Sequence, residues 1–231
     1  MKTSHKYIVW AILAATATFA AVLFAPNSKS ANEPTARDTS SDRSAPSNTN
    51  TTAGQVAGAS TVKPAPQLVM PISFGLTRVT KKPFGLKITP ETSPVENDIF
   101  SGYHTGIDFE TFATEQDKDV TIVAACDGKV LMSTWAKGYG GLVVESCKLY
   151  GQDVTVIYGH VKLEGLKVKV GQTLIAGDEI GFLGQGFTHE TDGRRKHLHF
   201  DIHKGTETNV LGYVPKQDDL ADWIDPVKYL Q

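Results

Sequence analysis

The chain has 231 residues, 40% hydrophobic and 21% charged, which leaves room for one ordinary domain with extensions. Its 23 basic and 25 acidic residues give a formal net charge of −2, so the strong positive field that marks a nucleic-acid partner is absent. The composition describes a soluble globular domain with something unusual at its front.

The front reads as a membrane signal. Lys2 and Lys6 precede an apolar run from Tyr7 to Ala25, interrupted only by Thr16 and Thr18. A bilayer span needs roughly 17–25 apolar residues, whereas the core of a secretory signal is shorter, about 7–15. The run ends at Ala25-Pro26, and proline after a cut site is expected to hinder cleavage. Residues 1–25 are therefore expected to form an uncleaved transmembrane helix with its lysines on the cytoplasmic side. A cleaved signal is the alternative, and both export the rest of the chain. Residues 26–67 are rich in Ser, Thr, Asn, Ala and Pro with almost no large apolar side chain. Such a segment buries too little apolar surface to offset the entropy of ordering, and it is expected to be a disordered tether.

From Leu68 to Gln231 short apolar runs alternate with Gly, Asp and Asn turns, and no helical period is sustained. Strands are expected over 120–126, 129–134, 141–147, 154–159 and 197–203, with two short strands around the glycines of 168–184. Asp127-Gly128 carries a hairpin-type turn signal, and Lys137–Gly141 (KGYGG) is a second reversal. One short helix is expected from Gln217 to Trp223, where Asp218 and Asp219 favour a helix start. The fold class is mostly antiparallel β. Cys126 and Cys147 fall on neighbouring expected strands of an exported domain, and a disulfide between them is expected.

The chain has 7 histidines, and all but His5 lie between His104 and His203. His104-Thr105-Gly106-Ile107-Asp108 places an imidazole and a carboxylate four residues apart, with Gly106 free to bend the backbone so that both converge on one ion. In the strand HLHFDIH, His197, His199, Asp201 and His203 share one face, and Leu198, Phe200 and Ile202 share the other. Three imidazoles and a carboxylate on one face are costly to assemble without a use. Asp201 suits an acceptor for an imidazole N–H, and His203 lies toward the end of the strand. His160 ends the run VTVIYGH and gains weight from this company, whereas His189 reads as an exposed loop residue. A catalytic zinc needs three protein ligands and one open position. His104, Asp108 and one of the HxH pair supply the ligands and leave two histidines for proton transfer.

The ordered series HTGID, DGKV, YGH, VKVGQTLIAGDEIGFLG, HLHF and DPVKYL resembles the lysostaphin/LytM-type zinc metallo-endopeptidases, from about Phe84 to Leu230. The resemblance implies an open antiparallel β-sheet of the duplicated-hybrid-motif type with a narrow groove. It implies Zn2+ held by His104, Asp108 and His199, catalytic histidines at His160 and His197, and peptide bonds of peptidoglycan stems or cross-bridges as substrate. It places the protein in the bacterial cell envelope, outside the cytoplasm, as a single-pass anchored or secreted monomer with no nucleic-acid partner. The loop before HLHF departs from the family's short Gly/Ser-rich form: here it is GFTHETDGRRK, longer and charged. Two other readings compete. A catalytically inactive regulator of cell-wall hydrolases on the same fold would have lost ligands, whereas all five positions are present. A lipoyl- or biotinyl-type carrier domain would share the Gly-punctuated hairpin, but the lysine at a tight turn is missing and the histidines go unexplained.

Overall fold

The computed structural model describes residues 68–230. The membrane helix expected over 1–25 and the tether over 26–67 lie outside the described residues. Among the described residues, no helix is long and apolar enough to cross a membrane.

Eleven strands form the described part: β1 (Lys87–Ile88), β2 (Gly102–His104), β3 (Gly106–Glu110), β4 (Thr121–Val123), β5 (Gly128–Ala136), β6 (Gly140–Leu149), β7 (Gln152–Gly159), β8 (Thr173–Leu174), β9 (Glu179–Phe182), β10 (His197–Lys204) and β11 (Tyr213–Val214). The main sheet has six antiparallel strands in the order β3-β10-β7-β6-β5-β8. It is open, because β3 pairs only with β10 and β8 only with β5. A three-stranded sheet, β1-β2-β11, and a β4-β9 ribbon complete the fold.

Alternation along the strands decides which face of the main sheet is core. Leu198, Phe200 and Ile202 of β10 pack with Ile107 and Phe109 of β3 and with Val154, Val156 and Tyr158 of β7, all buried. Burying each such large apolar side chain contributes about 1.5–3 kcal/mol, so this face fixes the register. A one-residue slip would bring the histidines of β10 into the core.

The expected strands are all present with shifted ends, and the short helix is a 3₁₀ helix over Gln217–Asp222. Asp127-Gly128 is not a hairpin. It joins β4 to β5, which pair with β9 and with β6 and β8 respectively, and Asp127 Oδ1 accepts the Ala176 N–H at 2.8 Å. KGYGG does close the β5-β6 hairpin. Cys126, in the bend after β4, is disulfide-bonded to Cys147 of β6, with a Cα–Cα distance of 6.0 Å.

Candidate metal centre

Strand pairing assembles the centre on the polar face of the main sheet. In the register, His199 of β10 stands opposite Asp108 of β3 on one side and Gly159 of β7 on the other. Directly opposed side chains on one face of a sheet lie within contact distance, so Asp108 and His199 meet. Between β2 and β3 the chain leaves the small sheet for the main one, which brings His104 in from the side. His160 follows Gly159 immediately, with φ +62°, a left-handed conformation uncommon for a residue with a side chain.

Two glycines make the approach possible. A Cβ at Gly159 would lie 2.5 Å from the Tyr139 ring, which occupies that space beside His199. A Cβ at Gly106 would collide with the Phe200 carbonyl oxygen and with Asp201 Oδ1. Gly106 is needed for close strand approach and not for the bend expected from the sequence: it sits within β3, and its φ is not in the left-handed region.

Three donor atoms converge. His104 Nε2 is 3.1 Å from His199 Nδ1 and 3.3 Å from Asp108 Oδ1, and His199 Nδ1 is 2.9 Å from the same oxygen. A tetrahedral ion with bonds of about 2.0–2.1 Å spaces its ligand atoms about 3.3 Å apart, so zinc fits this donor set. The outer nitrogens are also engaged. His104 Nδ1 lies 3.2 Å from the Pro83 carbonyl and His199 Nε2 lies 2.6 Å from Asp201 Oδ2. With these outer N–H groups held by their acceptors, the inward-facing nitrogens are the ones that would bind an ion. All three residues are buried, with His104 fully so. The other cluster of possible ligands among the described residues, Cys126, Glu145 and Cys147, offers no thiolates because its sulfurs are bonded to each other.

The charges around the donors favour a cation among them. Burial pulls the His199 pKa down, but the Asp201 carboxylate and the hydrogen bonds that Asp108 and Asp201 accept from the ring outweigh it and lift the value to about 10. Burial would raise Asp108, yet His197, His104 and Arg195 hold its carboxyl well below the usual range.

His160 and His197 sit beside the cluster without joining it. Their ring centroids are 4.2 Å apart. Burial pushes both pKa values down, reinforced at His160 by His197 and at His197 by Arg195. Both rings are therefore neutral near pH 7. His197 Nδ1 lies 2.9 Å from the Arg195 carbonyl and donates to it, which leaves Nε2 as a base, 3.4 Å from Asp108 Oδ2. His160 Nδ1 is buried without a hydrogen-bond partner. His203 lies away from the cluster, its ring against Trp223 at 4.8 Å. His189 is exposed and packs on Trp135.

The centre forms the floor of a groove of about 720 Å³. Its walls add residues that sequence reasoning does not single out: Tyr139, Lys82, Phe100, Arg194, Arg195 and Tyr213. Tyr139 lies inside the glycine-rich reversal and the arginines inside the charged loop, so their segments carry a signal although the residues do not.

Residues 102–210 match the sequence model of Peptidase family M23. That span runs from β2 to just before β11 and contains every residue of the cluster. The matched segment resembles an M23-type peptidase, and the His-Asp-His cluster inside it is geometrically consistent with a zinc site. No curated protein sequence matches the chain. Among solved structures, the chain is similar to Csd3 of Helicobacter pylori, with 22% identity over 71% of this chain and 34% of that one and a TM-score of 0.44. It thus spans about a third of the length of the Csd3 chain. It is similar to LytU at 25% identity over 64% of this chain and 81% of that one, with a TM-score of 0.43. It is also similar to the antimicrobial peptidase lysostaphin of Staphylococcus simulans, at 20% identity over 69% and 52% of the two chains, with a TM-score of 0.44. The open, LytM-like antiparallel sheet agrees with the expected mostly β fold class.

Proposed function

We propose that the protein is a zinc-dependent endopeptidase that hydrolyses peptide bonds in peptidoglycan stems or cross-bridges, acting outside the cytoplasm in the bacterial cell envelope. The observation that carries this reading is the triangle of His104, Asp108 and His199 donor atoms on the floor of an open groove, inside an M23-type domain. The disulfide is in keeping with an oxidising compartment. Attachment to the membrane through residues 1–25 is part of the proposal and rests on the apolar run alone.

His104, Asp108 and His199 would hold the ion. Bound zinc supplies Lewis acidity, which polarises a scissile carbonyl and makes water acidic near neutral pH. The remaining work falls to the protein's own side chains. His197 Nε2, a lone pair facing the groove floor, takes a proton from the attacking water and returns it to the leaving amine. His160, neutral and in ring contact with His197, donates a hydrogen bond to the oxygen that gains charge. Asp201 keeps His199 oriented through its Nε2–H. The groove is open to solvent above the cluster, with a volume of about 720 Å³.

Digestion of purified peptidoglycans with the zinc-loaded protein, followed by mass spectrometry of the fragments, tests the proposal. New peptide termini at one type of bond are expected. Intact peptidoglycan after incubation with fully zinc-loaded protein contradicts it.

A further inference from the structure

The charged loop before His197 bears on what the groove accepts. The groove is lined by the cations Lys81, Lys82, Lys137, Arg194 and Arg195 and by the carboxylates Glu96, Asp98 and Asp108. Most of this charge is neutralised within the wall. Lys82 is paired with Asp98, Arg195 with Asp108 and Glu110, and Lys81 lies 3.8 Å from Glu110. Among the described residues, Lys137 and Arg194 have no carboxylate within 4.0 Å, and Glu96 pairs with neither.

The two unpaired cations are held on one wall. Lys137 lies in the β5-β6 turn and Arg194 in the loop before β10, and Asp192 ties these segments together by accepting the Gly138 N–H at 2.7 Å. That bond engages the nearby Asp192 carboxylate. Arg194 donates through Nε to the Asp192 carbonyl at 3.1 Å, and its guanidinium lies 5.6 Å from the Phe100 ring centroid. A Cβ on Gly138 would lie 3.5 Å from Phe100 Cε1, so the Lys137 turn and Arg194 flank the same ring. Resting on an aromatic face leaves the terminal guanidinium nitrogens free and costs little entropy when they bind a planar anion.

We propose that Lys137 and Arg194 form a carboxylate-binding subsite on the groove wall, so that the enzyme prefers acidic peptides with a free carboxylate near the scissile bond. This rests on the endopeptidase reading of the site. Arg194 supplies a two-pronged contact to the carboxylate and Lys137 a second charge across the turn. Stem peptides with free acidic groups meet this requirement. Oligoglycine bridges do not.

The test uses the full-length zinc-loaded chain and an acidic stem peptide prepared as the free acid and as its carboxamide. Calorimetric titration is expected to show about 10–100-fold tighter binding of the free acid, the range of one good charge-assisted contact. Arg194→Gln combined with Lys137→Gln should abolish that preference, leave carboxamide binding unchanged and keep zinc content at the wild-type level. In hydrolysis of a cross-linked form of the same peptides, the double variant should raise KM for the free acid and leave kcat nearly unchanged. Equal binding of acid and carboxamide by the wild type overturns the subsite, as does a double variant that weakens both alike. Preferential binding of the acid without hydrolysis supports the subsite and overturns the endopeptidase reading instead.

Discussion

Arg195 donates to Asp108 Oδ2 at 2.7 Å, on the side of the carboxylate opposite the oxygen that faces His104 and His199. The same guanidinium is bonded to Glu110, two residues along β3 on the same face. Arg195 therefore fixes the rotation of the Asp108 carboxyl, presenting Oδ1 to the donor cluster and withholding Oδ2. Outer partners of this kind typically change metal affinity by about 10–100-fold when removed. Arg195→Ala is expected to weaken zinc binding by that factor, read by competition with a chromophoric chelator, and Arg195→Lys should fall between it and the wild type. Wild-type affinity in Arg195→Ala would remove Arg195 from the account of the site.

A second charged group lies buried on the core face. Glu145 of β6 accepts a 2.6 Å hydrogen bond from the Tyr158 hydroxyl, and its other oxygen has no partner. Burial is the main cause that raises its pKa to about 7, against the lowering effect of the Tyr158 hydrogen bond. The ordinary value of about 4.3 applies in the unfolded chain. Between these two values the folded state holds the extra proton, so stability falls as pH rises from about 4.3 to about 7 and stays reduced above. Glu145→Gln should lack this loss. Urea unfolding at pH 5 and pH 8 is expected to show the variant gaining on the wild type by on the order of 1–3 kcal/mol between the two. A difference between variant and wild type that does not change with pH contradicts the assignment.

The disulfide closes a short loop, with a sequence separation of 21 between Cys126 and Cys147. Chain-entropy arguments give about 3 kcal/mol for a loop of this size. Cys126→Ser combined with Cys147→Ser should lower the unfolding free energy by roughly that amount and leave zinc stoichiometry intact, since neither sulfur borders the cluster. Denaturant unfolding in parallel with metal analysis checks both halves. Loss of zinc in the folded double variant would show that the end of β6 supports the site.

How much of the fold and the site is legible in the sequence depends on how local each feature is. The face of β10 is readable because alternation is local: Leu198, Phe200 and Ile202 have to be buried together, which puts His197, His199 and Asp201 on the opposite side. The role of Asp201 as acceptor for an imidazole N–H is readable for the same reason. β3 is not legible as a strand, because Gly106-Ile107-Asp108-Phe109-Glu110 is short and opens on a glycine, a poor strand former. Its existence depends on β10 pairing along it, a contact about 90 residues away in sequence, which no local pattern carries. The Asp127-Gly128 turn misleads for the opposite reason. The dipeptide has hairpin chemistry, but the strand before it finds its partner in β9, and the tertiary pairing overrides the local signal. Arg195 and Arg194 sit in a loop whose charge is visible in the sequence and whose path over the groove is not.

The most direct test of the central claim is zinc by elemental analysis, carried out with peptidoglycan hydrolysis on the wild type and four single variants. Three ligands at His104, Asp108 and His199 require about one zinc per wild-type chain, and His199→Ala should be purified largely without it, because binding depends on ligand count and geometry. His197→Ala and His160→Ala should keep the metal while turnover drops by roughly 10²–10⁴-fold, the usual cost of losing a proton carrier. His203→Ala, whose ring packs against Trp223 away from the cluster, should keep both metal and activity. Retention of zinc by His199→Ala together with its loss from His197→Ala would reverse the assignment of ligand and base. A wild-type chain that binds no zinc would contradict the account as a whole.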